Sequence, residues 1–228
     1  MKRIVLVILF FPILLWSQAN FEKAEQLLEA GKTEQARLLF ETIVKENPSH
    51  LKSIEHLGDI AGQNKSWDKA LLYYKRLKQL QPTEANYYYK YGGALGMKAK
   101  EVNKFKALGM IDEIKSSFEK TIVLDPKHRE SRWALVVLYL QLPGIIGGSE
   151  AKAIAYSNEL MRLSPLDGYL SKGYIEEYLG RNKKAELNYI KAFELNNSKL
   201  AFQKLYNLYL YKMKNSDKAQ QLKEQFEK

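Results

Sequence analysis

The chain has 228 residues, of which 46% are hydrophobic and 27% are charged, and this balance excludes an intrinsically disordered protein. Its formal net charge at pH 7 is +10, but basic and acidic residues are interleaved at helical spacing along the whole chain. We therefore interpret the basic residues as solvated helix faces and expect no nucleic-acid partner. The absence of cysteine excludes a disulfide framework and the acylated thiol of a lipoprotein.

The first 19 residues form a candidate secretory signal peptide. A basic start precedes an uncharged apolar run over residues 4–16, and Ser17-Gln18-Ala19 has the small-x-small pattern of a cleavage site. The alternative is a retained membrane anchor, but the run is shorter than the roughly 20 residues of a spanning helix and contains Pro12. We predict that residues 20–228 are exported to the periplasm or extracellular space, with no stable membrane span after cleavage.

Two segments that follow the candidate signal align without gaps, and each ends at a proline. The segment "EAGKTEQARLLFETIVKENP" ends at Pro48, and "GQNKSWDKALLYYKRLKQLQP" ends at Pro82, 34 residues later. Small residues such as Gly58 and Ala70 let two helices approach, while Tyr74 fills the space beside them. A proline after the second helix stops it from continuing. Because such a pair cannot bury its apolar faces alone, several pairs must stack.

This period resembles the tetratricopeptide repeat (TPR). The residues that carry the resemblance are Leu57, Gly58, Ala70, Tyr74, Leu77 and Pro82 in one copy and Gly31, Ala36, Phe40, Ile43 and Pro48 in the other. Looser copies close at Pro126 and Pro165, another covers residues 173–197, and the last matches only through Ala219 and apolar spacing. The resemblance implies an all-α fold, a right-handed superhelical solenoid of about six antiparallel helix pairs over residues 20–228.

Two repeats carry insertions at their internal turns. The fourth has five surplus residues in "LPGIIGGS", residues 142–149. There we expect Pro143 to end one helix, the glycines to adopt backbone angles closed to other residues, and Ser149 to cap the next helix. The third repeat has ten surplus residues near 96–110, which we interpret as a helix extended by two turns.

Insertions at the same turn of neighbouring repeats are expected on one edge of a solenoid, which is often the binding face. Ile145 and Ile146 form an apolar pair on this insertion edge. The alternative is that both insertions are surface decoration, or that the two isoleucines pack on the third repeat without a binding function.

The first helix of each pair lines the concave groove of TPR arrays, so the resemblance implies which residues face a ligand. The predicted partner-binding residues are Tyr89, Met97, Trp133, Gln141, Tyr174 and Tyr178 in the groove, with Ile145 and Ile146 on the insertion edge. Lys204 and Tyr211 occupy groove positions in the sixth repeat. Aromatic side chains are typical anchors of recognition hot spots. The alternative is that some of these aromatic residues belong to the core between repeats.

Several other functions have no support in the sequence. Chaperone-binding TPR proteins grip a C-terminal carboxylate with lysines and a groove asparagine. That asparagine position here reads Glu25, Asp59, Gly93, Val137, Tyr174 and Leu208, so the clamp is missing. No two histidines have the spacing of a zinc site, and the glycines at 144–148 lack the lysine and hydroxyl residue of a phosphate-binding loop. We therefore expect no enzyme, metal or cofactor.

The sequence thus predicts an exported non-enzymatic scaffold or adaptor whose groove or insertion edge binds another envelope protein or an extended peptide. The alternative is a solute-binding accessory protein, because residues 133–165 resemble such proteins built on the same repeat. An accessory protein of that kind would enclose a small molecule in a cavity. A membrane-surface role is less favoured, since the chain lacks a basic amphipathic segment.

Overall fold

The structure is a computed structural model that describes residues 18–196 and 198–227. Nearly all of the candidate signal peptide lies outside the described residues. The described residues form helices and turns without strands, and none of their helices is long and apolar enough to span a bilayer. They fall into two compact units divided between Lys120 and Thr121, which we describe separately.

The first unit contains two complete helix pairs and most of a third, whose second helix crosses the division at Lys120. Its helices are α1 (18–29), α2 (Thr33–Glu46), α3 (Leu51–Gln63), α4 (Trp67–Leu80), α5 (Ala85–Glu101), α6 (Lys104–Leu108) and α7 (Ile111–Leu124). Ala36, Phe40 and Ile43 recur at helical spacing on α2 and are fully buried. They form one core with Phe21 of α1 and Leu57 of α3.

The second unit contains three further helix pairs. Its elements are α8 (Arg129–Gln141), a 3₁₀ turn (Gly144–Ile146), α9 (Glu150–Leu163), α10 (Pro165–Tyr178), α11 (Asn182–Asn196), α12 (Lys199–Asn207), a π-helical turn (Leu208–Lys212) and α13 (Ser216–Phe226). The core between α10, α11 and α12 includes Leu170, Tyr189 and Leu205. The π-helical turn lets the adjacent Leu208 and Tyr209 both be buried there.

Two pairs are held together by the same glycine and tyrosine contact. A Cβ at Gly58 would lie 2.5 Å from Cε1 of Tyr74, and a Cβ at Gly173 would lie 2.3 Å from Cε1 of Tyr189. The hydroxyl of Tyr74 donates a hydrogen bond of 2.7 Å to Asp59. The predicted roles of Gly58 and Tyr74 are therefore confirmed, since only a glycine leaves room for the ring.

The insertion in the fourth repeat ends α8 and caps α9 as the sequence predicts, but of its three glycines Gly147 alone has a positive φ. After Pro143, Gly147 adopts a φ of +98°, which favours glycine. The N–H groups of Ile146 and Gly148 each donate to the carbonyl of Pro143 at 3.0 Å. Ser149 caps α9, because its Oγ accepts a hydrogen bond of 3.2 Å from the backbone N–H three residues later. The loop is thus ordered by its own backbone.

The insertion in the third repeat is not the continuous helix extended by two turns that we expected. Helix α5 has 17 residues against 13 in α3, so it is longer by about one turn. The backbone then becomes extended at Val102, and Asn103 caps the short helix α6 by accepting a hydrogen bond of 3.0 Å from the N–H of Lys106. An asparagine side chain competes for backbone groups in this way, which ends one helix and starts another.

Candidate partner-binding site

The second unit brings together three of the predicted groove aromatics. The ring centroids of Trp133 in α8 and Tyr174 in α10 are 6.3 Å apart in an edge arrangement. Those of Tyr174 and Tyr178 are also 6.3 Å apart. We define the aromatic patch as these three residues together with Gln141 of α8 and Lys204 of α12. The patch therefore contains residues from the first helix of each of three successive pairs.

The local sequence of α10 explains how the two tyrosines are placed. Tyr174 and Tyr178 are four residues apart, so they lie on the same face of the helix. Leu170, Gly173 and Ile175 are buried on the faces that pack against neighbouring helices. Tyr174 is consequently half-buried, whereas Tyr178 at the end of the helix is 47% exposed.

Polar groups surround the Tyr174 ring. Burial raises the pKa of Tyr174, and its hydrogen bond with Gln141 only partly opposes this rise. The phenol therefore stays neutral and can donate a hydrogen bond throughout the physiological pH range. The Lys204 ammonium lies 5.7 Å from the Tyr174 ring centroid, within the range of a cation–π contact.

Trp133 contacts the core as well as Tyr174 of the patch. It is half-buried and packs against the buried residues between α10, α11 and α12. The core interpretation of this residue, which the sequence left open, is thus confirmed, and its role in binding a partner stays a prediction. The neighbouring Gln141 is exposed.

The other predicted binding residues are not among those that define the patch. Tyr89 belongs to the first unit, where its ring centroid is 6.0 Å from that of Phe118. Met97 is in the same unit, near the end of α5, and is 41% exposed. Ile145 stands on the ordered loop of the second unit and is 96% exposed, whereas Ile146 is half-buried. Three of the four predicted aromatic residues thus belong to the patch, and all three lie in the second unit.

A polar network on α3 and α5 was not predicted from the sequence. Lys90 forms ion pairs with Glu55 at 2.6 Å and with Asp59 at 2.7 Å. Asn86 donates a hydrogen bond of 3.3 Å to Glu55. Lys90 lies 31 residues after Asp59, close to one repeat period, and opposite charges at that spacing are the signal that could have indicated the pair. This network pairs Lys90 with two carboxylates.

No cluster of three or more metal-ligating side chains occurs among residues 18–196 and 198–227.

No protein-family model matches the sequence, and a search of curated proteins finds no match. The structure is similar to solved TPR structures. A thermophilic TPR protein from Thermus thermophilus is 19% identical, with 85% of this chain and 99% of that chain covered and a TM-score of 0.66. PilW, a widely conserved type IV pilus biogenesis factor, is 16% identical, with coverage of 92% and 91% and a TM-score of 0.68. YrrB, a TPR protein with an unusual peptide-binding site, is 13% identical, with coverage of 80% and 87% and a TM-score of 0.56.

These similarities define the class of fold. The predicted all-α architecture of TPR-like helix pairs is confirmed.

Proposed function

We propose that this protein is an exported, non-enzymatic TPR scaffold that binds another envelope protein or an extended peptide through the aromatic patch. The observation that carries the proposal is the contact of Trp133, Tyr174 and Tyr178 across successive groove helices. Aromatic rings on rigid helices bury a large area and lose little side-chain entropy on binding. A half-exposed ring such as Tyr178 gains this burial only when a partner covers it.

The similar structures support a binding role. YrrB has an unusual peptide-binding site, and PilW is a type IV pilus biogenesis factor. The alternative of an enclosed small-molecule cavity has less support at the patch, because Gln141 and Tyr178 are exposed there. An extended segment lying along the patch would fit this open surface better than a solute that must be surrounded.

Export is the part of the proposal that rests on residues 1–19. Mass spectrometry of the protein purified from its own cells should find Asn20 as the first residue. Antibody detection should place that processed form in the periplasmic or extracellular fraction. A protein that retains Met1 and stays with the cytoplasmic fraction would contradict export, without bearing on the binding site.

Binding is tested by selecting random peptides, displayed on yeast, against the purified protein. We expect the selected peptides to lose affinity at least tenfold on Tyr178→Ala and on Trp133→Ala, as for hot-spot aromatics. Leu187→Ala, at an exposed leucine of α11, is the matched control and should leave affinity unchanged. Circular dichroism melting shows whether each variant still folds.

The same assay separates the groove from the insertion edge. Ile145→Asp changes a side chain that is almost fully exposed, so it should leave folding intact. A loss of affinity with this variant would place the insertion edge in the site as well. Binding that tolerates both Tyr178→Ala and Trp133→Ala would contradict the proposed role of the patch, as would the selection of no peptide at all.

A further inference from the structure

We propose that the aromatic patch recognises a segment carrying an acidic side chain close to an apolar residue, and that Lys204 binds the carboxylate. This inference rests on the proposed function, because it specifies the chemistry of the ligand for the same site. The ligand is a side-chain carboxylate within an extended segment. A gripped chain end is not expected, since the chain lacks the asparagine clamp.

The first observation is the incomplete pairing of Lys204. Its side chain is half-buried, and its ammonium lies 5.7 Å from the Tyr174 ring centroid. Within the described parts of the chain, no carboxylate oxygen lies within 4.0 Å of this ammonium. A cation that has lost part of its hydration without gaining an anion is stabilised when a ligand supplies one.

The groove of the first unit shows what a completed pairing looks like. Lys90 also lies near a tyrosine ring, with its ammonium 5.9 Å from the centroid of Tyr74. It is neutralised by Glu55 and Asp59 at 2.6 and 2.7 Å. Lys204 has the corresponding ring contact, but no carboxylate of the described residues completes it as Glu55 and Asp59 complete that of Lys90.

Two carboxylates on the neighbouring helix α10 already have partners. Asp167 accepts from Arg129 at 2.7 Å. Glu177 accepts a hydrogen bond of 2.8 Å from the buried hydroxyl of Tyr189. Moving either acid toward Lys204 would break an existing charge-assisted bond. An external carboxylate can therefore approach Lys204 without competition from Asp167 or Glu177.

The geometry also limits where the apolar residue of the ligand lies. Tyr174 is 6.3 Å from Tyr178 and 5.7 Å from the Lys204 ammonium, so the Tyr178 ring is at most about 12 Å from that ammonium. An extended chain advances about 3.3–3.6 Å per residue. The acidic residue should thus fall within about four residues of the apolar residue that covers Tyr178.

The test uses random peptides flanked on both sides by fixed Gly-Ser linkers, so that no ligand ends in a free carboxyl group. Selection on the wild-type protein should enrich Asp or Glu within four positions of an aromatic or aliphatic residue. Lys204→Met should weaken binding of these peptides about tenfold, and added salt should weaken wild-type binding. Lys204→Glu should reverse the preference toward Lys or Arg. Lys199→Met, at an exposed position in the first turn of α12, is the matched control.

Each of the other outcomes would overturn a different part of the proposal. Peptides that depend on Tyr178 but show no acidic enrichment, or that tolerate Lys204→Met, overturn the role of Lys204 and leave the proposed function intact. Acidic preference seen only in a second library with free C-termini overturns the assignment to a side chain. If no peptide is selected from either library, the proposed function and this inference both fail.

Discussion

Replacing Gly58 by alanine should destabilise the protein, although alanine is the better helix former. Gly58 lies within α3, where Gly→Ala alone would gain about 1 kcal/mol. The added Cβ, however, would lie 2.5 Å from Cε1 and 2.9 Å from Cδ1 of Tyr74. The Tyr74 ring is 6% exposed and its hydroxyl is bonded to Asp59, so it cannot move aside freely.

The expected magnitude follows from opposing contributions. Overpacking a buried site costs about 1–3 kcal/mol. Shifting the ring also weakens a hydrogen bond to a charged acceptor, which contributes about 1.5–3 kcal/mol. After the helix-propensity gain is subtracted, we expect a net loss of about 2 kcal/mol in the free energy of unfolding. For a chain of this size, that loss lowers the melting temperature by roughly 4–8 °C.

Thermal melting followed by circular dichroism measures this effect. Gly93→Ala is the matched control, because a Cβ there would have no neighbour within 4 Å, and it should raise stability by up to about 1 kcal/mol. In a Tyr74→Leu background, Gly58→Ala should cost less than it does beside tyrosine. If Gly58→Ala stabilised the protein as Gly93→Ala does, the account of the glycine and tyrosine contact would be wrong.

Two further predictions concern turns between helices. Lys65 has a φ of +55°, in the same left-handed region as Gly31 and Gly180 at +72°. Because glycine adopts this conformation without strain, Lys65→Gly should raise the free energy of unfolding, measured in urea, by about 0.5 kcal/mol. The control Lys69→Gly lies within α4 and should lower it. Nδ1 of His50 accepts the N-cap hydrogen bond from the backbone N–H of Ser53, and burial lowers the pKa of His50. The stabilising effect of neutral His50 is therefore present above the unfolded-state pKa of about 6.5. It is lost as the pH falls through the folded-state pKa. His50→Asn keeps a cap that does not titrate and should flatten the stability profile between pH 7 and 5; an unchanged slope would refute this role.

The sequence predicted the packing of the pairs because each contact is local to one repeat. Gly58 and Tyr74 lie within a single helix pair, so a period of 34 residues and the sizes of the side chains are enough to place them together. The fourth-repeat loop was also predictable, since Pro143, Gly147 and Ser149 each favour one backbone conformation.

The third-repeat insertion shows where such rules fail. Residues 96–110 contain alanine, lysine and methionine, whose helix propensities favour a continuous helix. Asn103 provides a side-chain cap that is favourable only once the chain has already left the helix at Val102. Propensity summed over the segment does not include the hydrogen bond of a single capping side chain, so it cannot indicate where the second helix begins.

The aromatic patch could be anticipated only in part, for a physical reason. A groove helix such as α10 has neighbouring helices on two sides, so Leu170, Gly173 and Ile175 take up much of its circumference. Apolar periodicity then no longer distinguishes the buried faces of α10 from its ligand face. It does so on α2, whose buried residues all lie on one face. Tyr174 is consistent with either position until its contacts with Trp133 and Lys204 are known. The charge pattern has the same limitation, because a lysine on the groove is a ligand contact only if no acid of the chain reaches it. Lys90 is paired with Glu55 and Asp59, whereas Lys204 forms no ion pair among the described residues, and this difference supports the proposal that the second unit binds an acidic segment.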